Sequence, residues 1–153
     1  MTYLQARGRL SEMVATSFFI ANIAKNKGMM KKTKKTWKNQ LDKLWSEIIR
    51  SKGYCEICGT TVNLNAHHII SRHNKFLRWD LQNGICLCVS CHKFSTHSVH
   101  NDPLGFTKFF RKNRYKDYLY LCKKRNEIVH YTISDYEEIY QKLLKAKDEI
   151  QKL

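Results

Sequence analysis

Two short cysteine pairs, Cys55-Glu56-Ile57-Cys58 and Cys88-Val89-Ser90-Cys91, constrain what this chain can fold into more than any other feature. Each has the C-x-x-C spacing at which one tight turn presents two thiolates to one ion. Two such turns complete the tetrahedral set that Zn²⁺ prefers. The stretch between them, Gly59 to Leu87, is longer than a compact zinc ribbon needs and has room for a strand, a loop and a second strand. The expected unit is therefore β-hairpin-like and stapled by structural zinc, whose binding supplies folding energy that so small a hairpin lacks. A redox pair or chance cysteines are the competing readings, and the repeated spacing weighs against both. Of the six cysteines, Cys86 and Cys122 are left over. Cys86 and Cys88 stand two apart on the second strand, and one of the two is expected to face away from the metal. Cys86 and Cys122 read as buried, unpaired thiols. A metal framework rather than three disulfides implies a reducing, intracellular and hence cytoplasmic setting.

Around this unit the pattern is helical. A first helix is expected from about Leu10 to Ala24, followed by a basic hinge at Lys31-Lys32-Thr33-Lys34-Lys35. The apolar run Met13 to Ala21 mimics a weak signal peptide, but its Ser and Thr and the lysines that follow favour an amphipathic helix. From Thr36 to Ser51, Trp37, Leu41, Leu44, Trp45, Ile48 and Ile49 fall on one stripe, and Gly53 stops the helix. Val62 to Ile70 and Gly84 to Leu87 are strand-like, and a helix is expected from Val89 to His97. Asp102-Pro103 supplies an N-cap and first-turn pair for another. Tyr115, Tyr118, Leu119 and Cys122 continue a helical stripe. Ser134 and Glu137 form a capping box for the last helix, with Tyr136, Ile139, Tyr140, Leu143 and Leu144 inward. Three parts follow: 1–35, an N-terminal helix and hinge; 36–100, the metal-stapled core with its preceding helix; 101–153, a helical extension packed on that core.

Charge narrows the partners. Lys and Arg total 28 against 13 acids, a formal net charge of +15. So basic a domain repels itself unless a polyanion relieves it, which points to nucleic acid. Solubility alone would be served by either sign. No apolar stretch approaches the ~20 residues that would span a membrane.

Between the cysteine pairs lies Asn65-Ala66-His67-His68-Ile69-Ile70, Asn83 precedes the second strand, and His92 follows the second pair directly. The ordered set C-E-I-C-G, A-H-H-I-I, R-W-D-L-Q-N-G and L-C-V-S-C-H, over about Tyr54 to Lys93, resembles the four-cysteine branch of the HNH endonuclease family. The resemblance implies an α+β fold, a ββα-metal core with structural zinc surrounded by N- and C-terminal helices. It implies hydrolysis of DNA phosphodiester bonds with His68 as general base, a role that suits an imidazole near neutrality. It places one catalytic divalent metal on His67 and His92, and it gives Asn83 the task of tying the loop and setting the histidine's orientation. Small free-standing members with flanking helices are frequent in phages and mobile elements.

The residues add their own constraints. Neighbours on a strand point to opposite faces, so His67 and His68 reach one phosphate only where the strand ends or twists. Imidazole at position 67, where many members have aspartate, favours Mn²⁺, Ni²⁺ or Zn²⁺ over Mg²⁺. Arg72, Lys75 and Arg78 in the loop are the expected DNA contacts. His97 lies on the expected helix five residues beyond His92, a poor angle for sharing a metal, and ranks only as a phosphate contact or a support to a ligand; the roles of His73 and His100 stay open. A non-catalytic zinc-dependent DNA-binding module would explain the cysteines and charge but not the histidines and asparagine. An RNA-binding protein would show exposed aromatics, whereas those here fall on core stripes. The chain is expected to act as a monomer or homodimer.

Overall fold

The structure is a computed structural model that describes residues 32–152. The chain divides into two units, Met1–Lys32 and Thr33–Leu153. The expected first helix and the hinge as far as Lys31 lie outside the described residues. The second unit runs α1 (Lys34–Arg50), β1 (Leu64–His68), β2 (Gly84–Cys88), α2 (Pro103–Asn113), α3 (Tyr115–Lys124) and α4 (Ile133–Ile150). A 3₁₀ turn, Leu81–Asn83, leads into β2, and a π-helical turn, Ser90–Phe94, leads out of it. The strands form one antiparallel pair among helices, the α+β arrangement expected.

The apolar stripe makes α1. Trp37, Leu41, Leu44, Trp45, Ile48 and Ile49 are all buried, and the Thr33 hydroxyl caps the helix by accepting from the Thr36 amide at 3.2 Å. Side chains of this size contribute roughly 1.5–3 kcal/mol each when fully buried, so the stripe's partner matters. That partner is α4, whose Tyr136 and Leu143 are buried in the same core and whose Ile139, Tyr140 and Leu144 pack against it. The inward face of α4 is the one the spacing predicts. Its cap is not. Thr132, in extended backbone, accepts from the Asp135 amide while Asp135 accepts from the Thr132 amide at 2.7 Å. Ser134 already sits inside the first turn, so the reciprocal cap forms two residues earlier than expected.

β2 is buried on both faces. Cys86 enters the α1–α4 core, while Ile85, Leu87 and Cys88 join Cys55 and Val99 in a second cluster on the other side. The two-residue period sets Ile85 and Leu87 opposite Cys86, whereas Cys88 shares the parity of Cys86 and joins the zinc-side cluster at the last residue of the strand, where that period ends. At its start, Gly84 lets α1 approach: a Cβ there would stand 2.9 Å from the Trp45 ring.

Two elements depart from expectation. The helix expected over 89–97 is only the π turn, with Ser95 extended. The Val99 amide takes the Cys91 carbonyl at 3.0 Å, and the Ser98 hydroxyl donates to the Lys93 carbonyl at 3.2 Å. These bonds occupy acceptors that a longer helix would have used. In α3, Leu121 is buried and Tyr118 half-buried, whereas Tyr115, Leu119 and Cys122 are exposed. The chain kinks at Arg114 (φ −133°, ψ 53°) between α2 and α3, which turns a different face inward. Cys122 is therefore an exposed thiol, contrary to expectation; Cys86 is fully buried, and burial pushes its thiol up to about 11.

The loop before β2 is held by a half-buried ion pair. Arg78 donates to both oxygens of Asp42 on α1, at 2.9 and 2.6 Å, and the Trp79 indole donates to the same carboxylate at 2.8 Å. Burial works to raise the Asp42 carboxyl, but these hydrogen bonds outweigh it and hold it below the usual range. Asp42→Ala strands a guanidinium and an indole N–H, and is expected to cost about 1–3 kcal/mol. Urea unfolding of the purified variant measures this, and an unchanged midpoint would contradict it.

Candidate functional site

The two cysteine knuckles meet. The Sγ atoms of Cys55, Cys58, Cys88 and Cys91 all lie within 4.8 Å of one another, and those of Cys58 and Cys88 are 3.7 Å apart. Four sulfurs at about 2.3 Å around a tetrahedral zinc would be separated by roughly 3.8 Å, so the set fits the ion. Local backbone makes the geometry. Gly59, at φ +78°, turns the chain so that its amide returns to the Cys55 carbonyl at 2.8 Å. Glu56 then ties this knuckle to β2, its amide donating to the Cys86 carbonyl and its carboxylate accepting from the Cys86 amide. Burial raises the Cys55 thiol, but hydrogen bonds from the backbone of Cys58, Cys88 and Ile57 outweigh it and bring it to about 7. Cys91 is pushed strongly upward by burial and by its bonds with Cys58 and Cys88. Four thiols this close can all ionise only around a cation, which is what the donor set is built to hold.

A second cluster lies at the end of β1. Ring nitrogens of His67, His92 and His100 fall within 4.8 Å of one another, and the Nε2 atoms of His92 and His100 are 3.3 Å apart. Two nitrogens bound to one ion at about 2.0–2.1 Å in tetrahedral geometry lie roughly 3.3–3.4 Å apart, so this triad also fits a metal. Burial, and then the nearby His92 and His100, depress the His67 ring to about 3. Burial likewise lowers His92. Both rings are thus neutral near pH 7, the state that ligates.

His100 was not assigned from the sequence, for a physical reason. His92 and His100 do not share a helix face, because the helical turn ends at Phe94. The chain returns through a turn in which Asn101 donates to the Lys93 and Ser95 carbonyls, and that turn delivers His100 back to His92. The only local hints were the Ser and Asn that such a turn uses. His97 is strongly exposed, 3.9 Å from Asp102, and stands outside the triad.

His68 leaves β1 on the face opposite His67. Its ring stacks on Trp45 with centroids 3.8 Å apart and planes 9° from parallel, and its Nε2 lies 2.8 Å from the Arg78 carbonyl. A carbonyl only accepts, so Nε2 carries the proton and Nδ1 the free lone pair. Burial lowers the His68 pKa despite that bond and the nearby Asp42. Although its ring packs on the other face, His68 still borders the cleft that the triad lines.

Asn83 is fully buried and spends its amide on the loop. Its Oδ1 accepts from the Ile70 amide at 2.6 Å, and its Nδ2 donates to the Ile70 and Leu77 carbonyls at 2.9 Å each. These bonds clamp the segment after His68 to the start of β2. Arg114 braces the same point from outside, donating to the Gly84 carbonyl at 2.6 Å and the Gln82 carbonyl at 3.2 Å. Of the loop cations, Arg72 and Lys75 are exposed, and Arg72 lines the cleft. Arg78 is committed to Asp42 and packs over Trp79 at 5.4 Å.

Residues 55–98 match the family model described as HNH endonuclease, and the four-cysteine cluster accords with a zinc-binding type of that family. No curated protein and no solved structure gives a significant match to the chain. The matched segment holds both knuckles, His67, His68, Asn83 and His92. His100 and the helices α2 to α4 lie beyond it.

Proposed function

We propose that this chain, with its HNH segment at 55–98, is an endonuclease that hydrolyses DNA phosphodiester bonds with a divalent metal. The observation that carries the reading is the His67–His92–His100 triad opening on the same cleft as His68. A cation held by the three imidazoles would polarise the phosphate and offset charge on the leaving 3′ oxygen. His68 takes the proton of the attacking water at Nδ1, since Nε2 is engaged by Arg78. Its lowered pKa keeps the ring neutral and able to act as base at neutral pH. Trp45 and the Arg78 carbonyl hold the ring's angle, and Asn83 holds the backbone that follows it. Arg72 and Lys75 bind flanking phosphates, while Arg78 acts as scaffold. Zinc on Cys55, Cys58, Cys88 and Cys91 is structural. We place the protein in the cytoplasm of a bacterium or phage-infected cell, as a monomer or homodimer. Among the described residues no helix is long and apolar enough to cross a membrane.

An all-nitrogen donor set suits Mn²⁺, Ni²⁺ or Zn²⁺ better than Mg²⁺, which prefers oxygen. Plasmid cleavage followed across the four metals is expected to be at least as fast with Mn²⁺ or Ni²⁺ as with Mg²⁺. Activation by Mg²⁺ alone would refute the imidazole site. If no metal supports cleavage while DNA is still bound, the chain is a zinc-dependent DNA-binding module instead.

A further inference from the structure

We infer that the cleft beside the histidine triad is a subsite for an unpaired nucleobase, so that the enzyme cuts DNA where a strand is single or distorted. The inference rests on the nuclease reading and deepens it.

The cleft is a cavity of about 840 Å³. The triad lines one part of it, and half-buried Ile69 and Phe106 give it an apolar lining backed by the buried Phe110 and Leu121. A site that only clamped duplex backbone would need cations and amides throughout, because paired DNA presents phosphates outward and keeps its bases inside. Here the cations Arg72, Lys93 and Arg125 line the same cavity as the aromatic rings. That combination of backbone charge and a ring surface is what single-stranded nucleic acid requires. Phe106 stands where the two meet, its ring 6.1 Å from His67 and 6.1 Å from Phe110. The volume falls within the range of about 300–1,000 Å³ typical of small-ligand pockets, room enough for a nucleobase. Drawing a base from a paired stack is costly, and least so where it is already unpaired. Phe106, Phe110 and Leu121 belong to α2 and α3, beyond the matched segment, so the subsite is this chain's own addition.

The test uses the full zinc-loaded chain with Mn²⁺ and three DNAs of one sequence: a duplex, a bubble and a single strand. Cleavage of the bubble and single strand is expected to be at least about tenfold faster than of the duplex, since stacking one base on an aromatic ring is worth roughly tenfold to a hundredfold. Cys122 is an exposed residue that lines the cavity, and Cys122→Trp is expected to narrow it and to reduce the ratio of single-strand to duplex cleavage by about tenfold. Fluorescence anisotropy of single-stranded DNA on His68→Ala reads binding without cutting. An abasic nucleotide at the cleavage position is expected to weaken that binding by about tenfold, and Phe106→Ala to do the same for intact DNA. Equal cleavage of duplex and single strand, with Cys122→Trp silent, would overturn the subsite and leave the nuclease standing. If nothing is cut, the nuclease reading fails, and the abasic comparison alone decides whether the cleft holds a base. Faster cleavage of a matched RNA strand would overturn DNA as the substrate.

Discussion

His68→Ala is expected to lower DNA cleavage by about 10²–10⁴-fold, the usual contribution of a positioned general base, while zinc content and the triad's metal affinity stay as in wild type. The ring does nothing for the zinc knuckles. It stacks on Trp45, hydrogen-bonds the Arg78 carbonyl through Nε2 and belongs to a residue that borders the cleft. Its removal leaves that carbonyl without its partner, so a stability loss of about 1–3 kcal/mol is expected as well. Rates must therefore be compared well below the variant's unfolding temperature. His97→Ala supplies the contrast: its ring is exposed and outside the triad, and its cleavage rate should match wild type. A His68→Ala enzyme that nicks plasmid within a few fold of wild type would end His68's candidacy.

The second large effect concerns stability. Cys55→Ser, or exhaustive chelation of zinc, is expected to unfold the segment between the knuckles and abolish cleavage. Structural zinc in small sites contributes about 10–16 kcal/mol, comparable to the whole stability of an ordinary domain at about 5–15 kcal/mol. The apolar cluster on the zinc side of β2 is small, with Ile85, Leu87 and Val99 as its buried aliphatic members. It cannot replace that contribution. The α1–α4 core, with Trp37, Trp45, Tyr136 and Leu143, does not touch the metal thiols, so part of the helical circular dichroism should survive. Zinc stoichiometry and limited proteolysis of the variant report the outcome. A Cys55→Ser protein that keeps one zinc and wild-type protease resistance would show that the knuckle is dispensable. His67→Ala, by contrast, is expected to retain the structural zinc, because the two metal sites share no ligand.

Some of the site was legible without coordinates because its determinants are local. A C-x-x-C turn places two sulfurs within reach of one ion whatever the rest of the chain does, and the period of a strand separates His67 from His68. That Cys86 and Cys88 part company, against the same period, was decided by where the strand ends. The stripes of α1 and α4 were equally plain, since burial repeats with the helical turn. The expectations that failed lie where a local rule was interrupted. Thr132 rather than Ser134 caps α4 because its backbone is the one in extended conformation. The kink at Arg114 rotates α3 and exposes Cys122.

By itself, then, the amino-acid order settled which residues could ligate, which faces were apolar and how the knuckles were spaced, all properties of neighbours within a few positions. Tertiary structure alone decided that His100 completes the triad, that Arg78 is bound to Asp42, and that α2 and α3 wall a cleft beside the histidines. Each depends on where a turn returns the chain or how two distant segments pack, and no short-range periodicity encodes that.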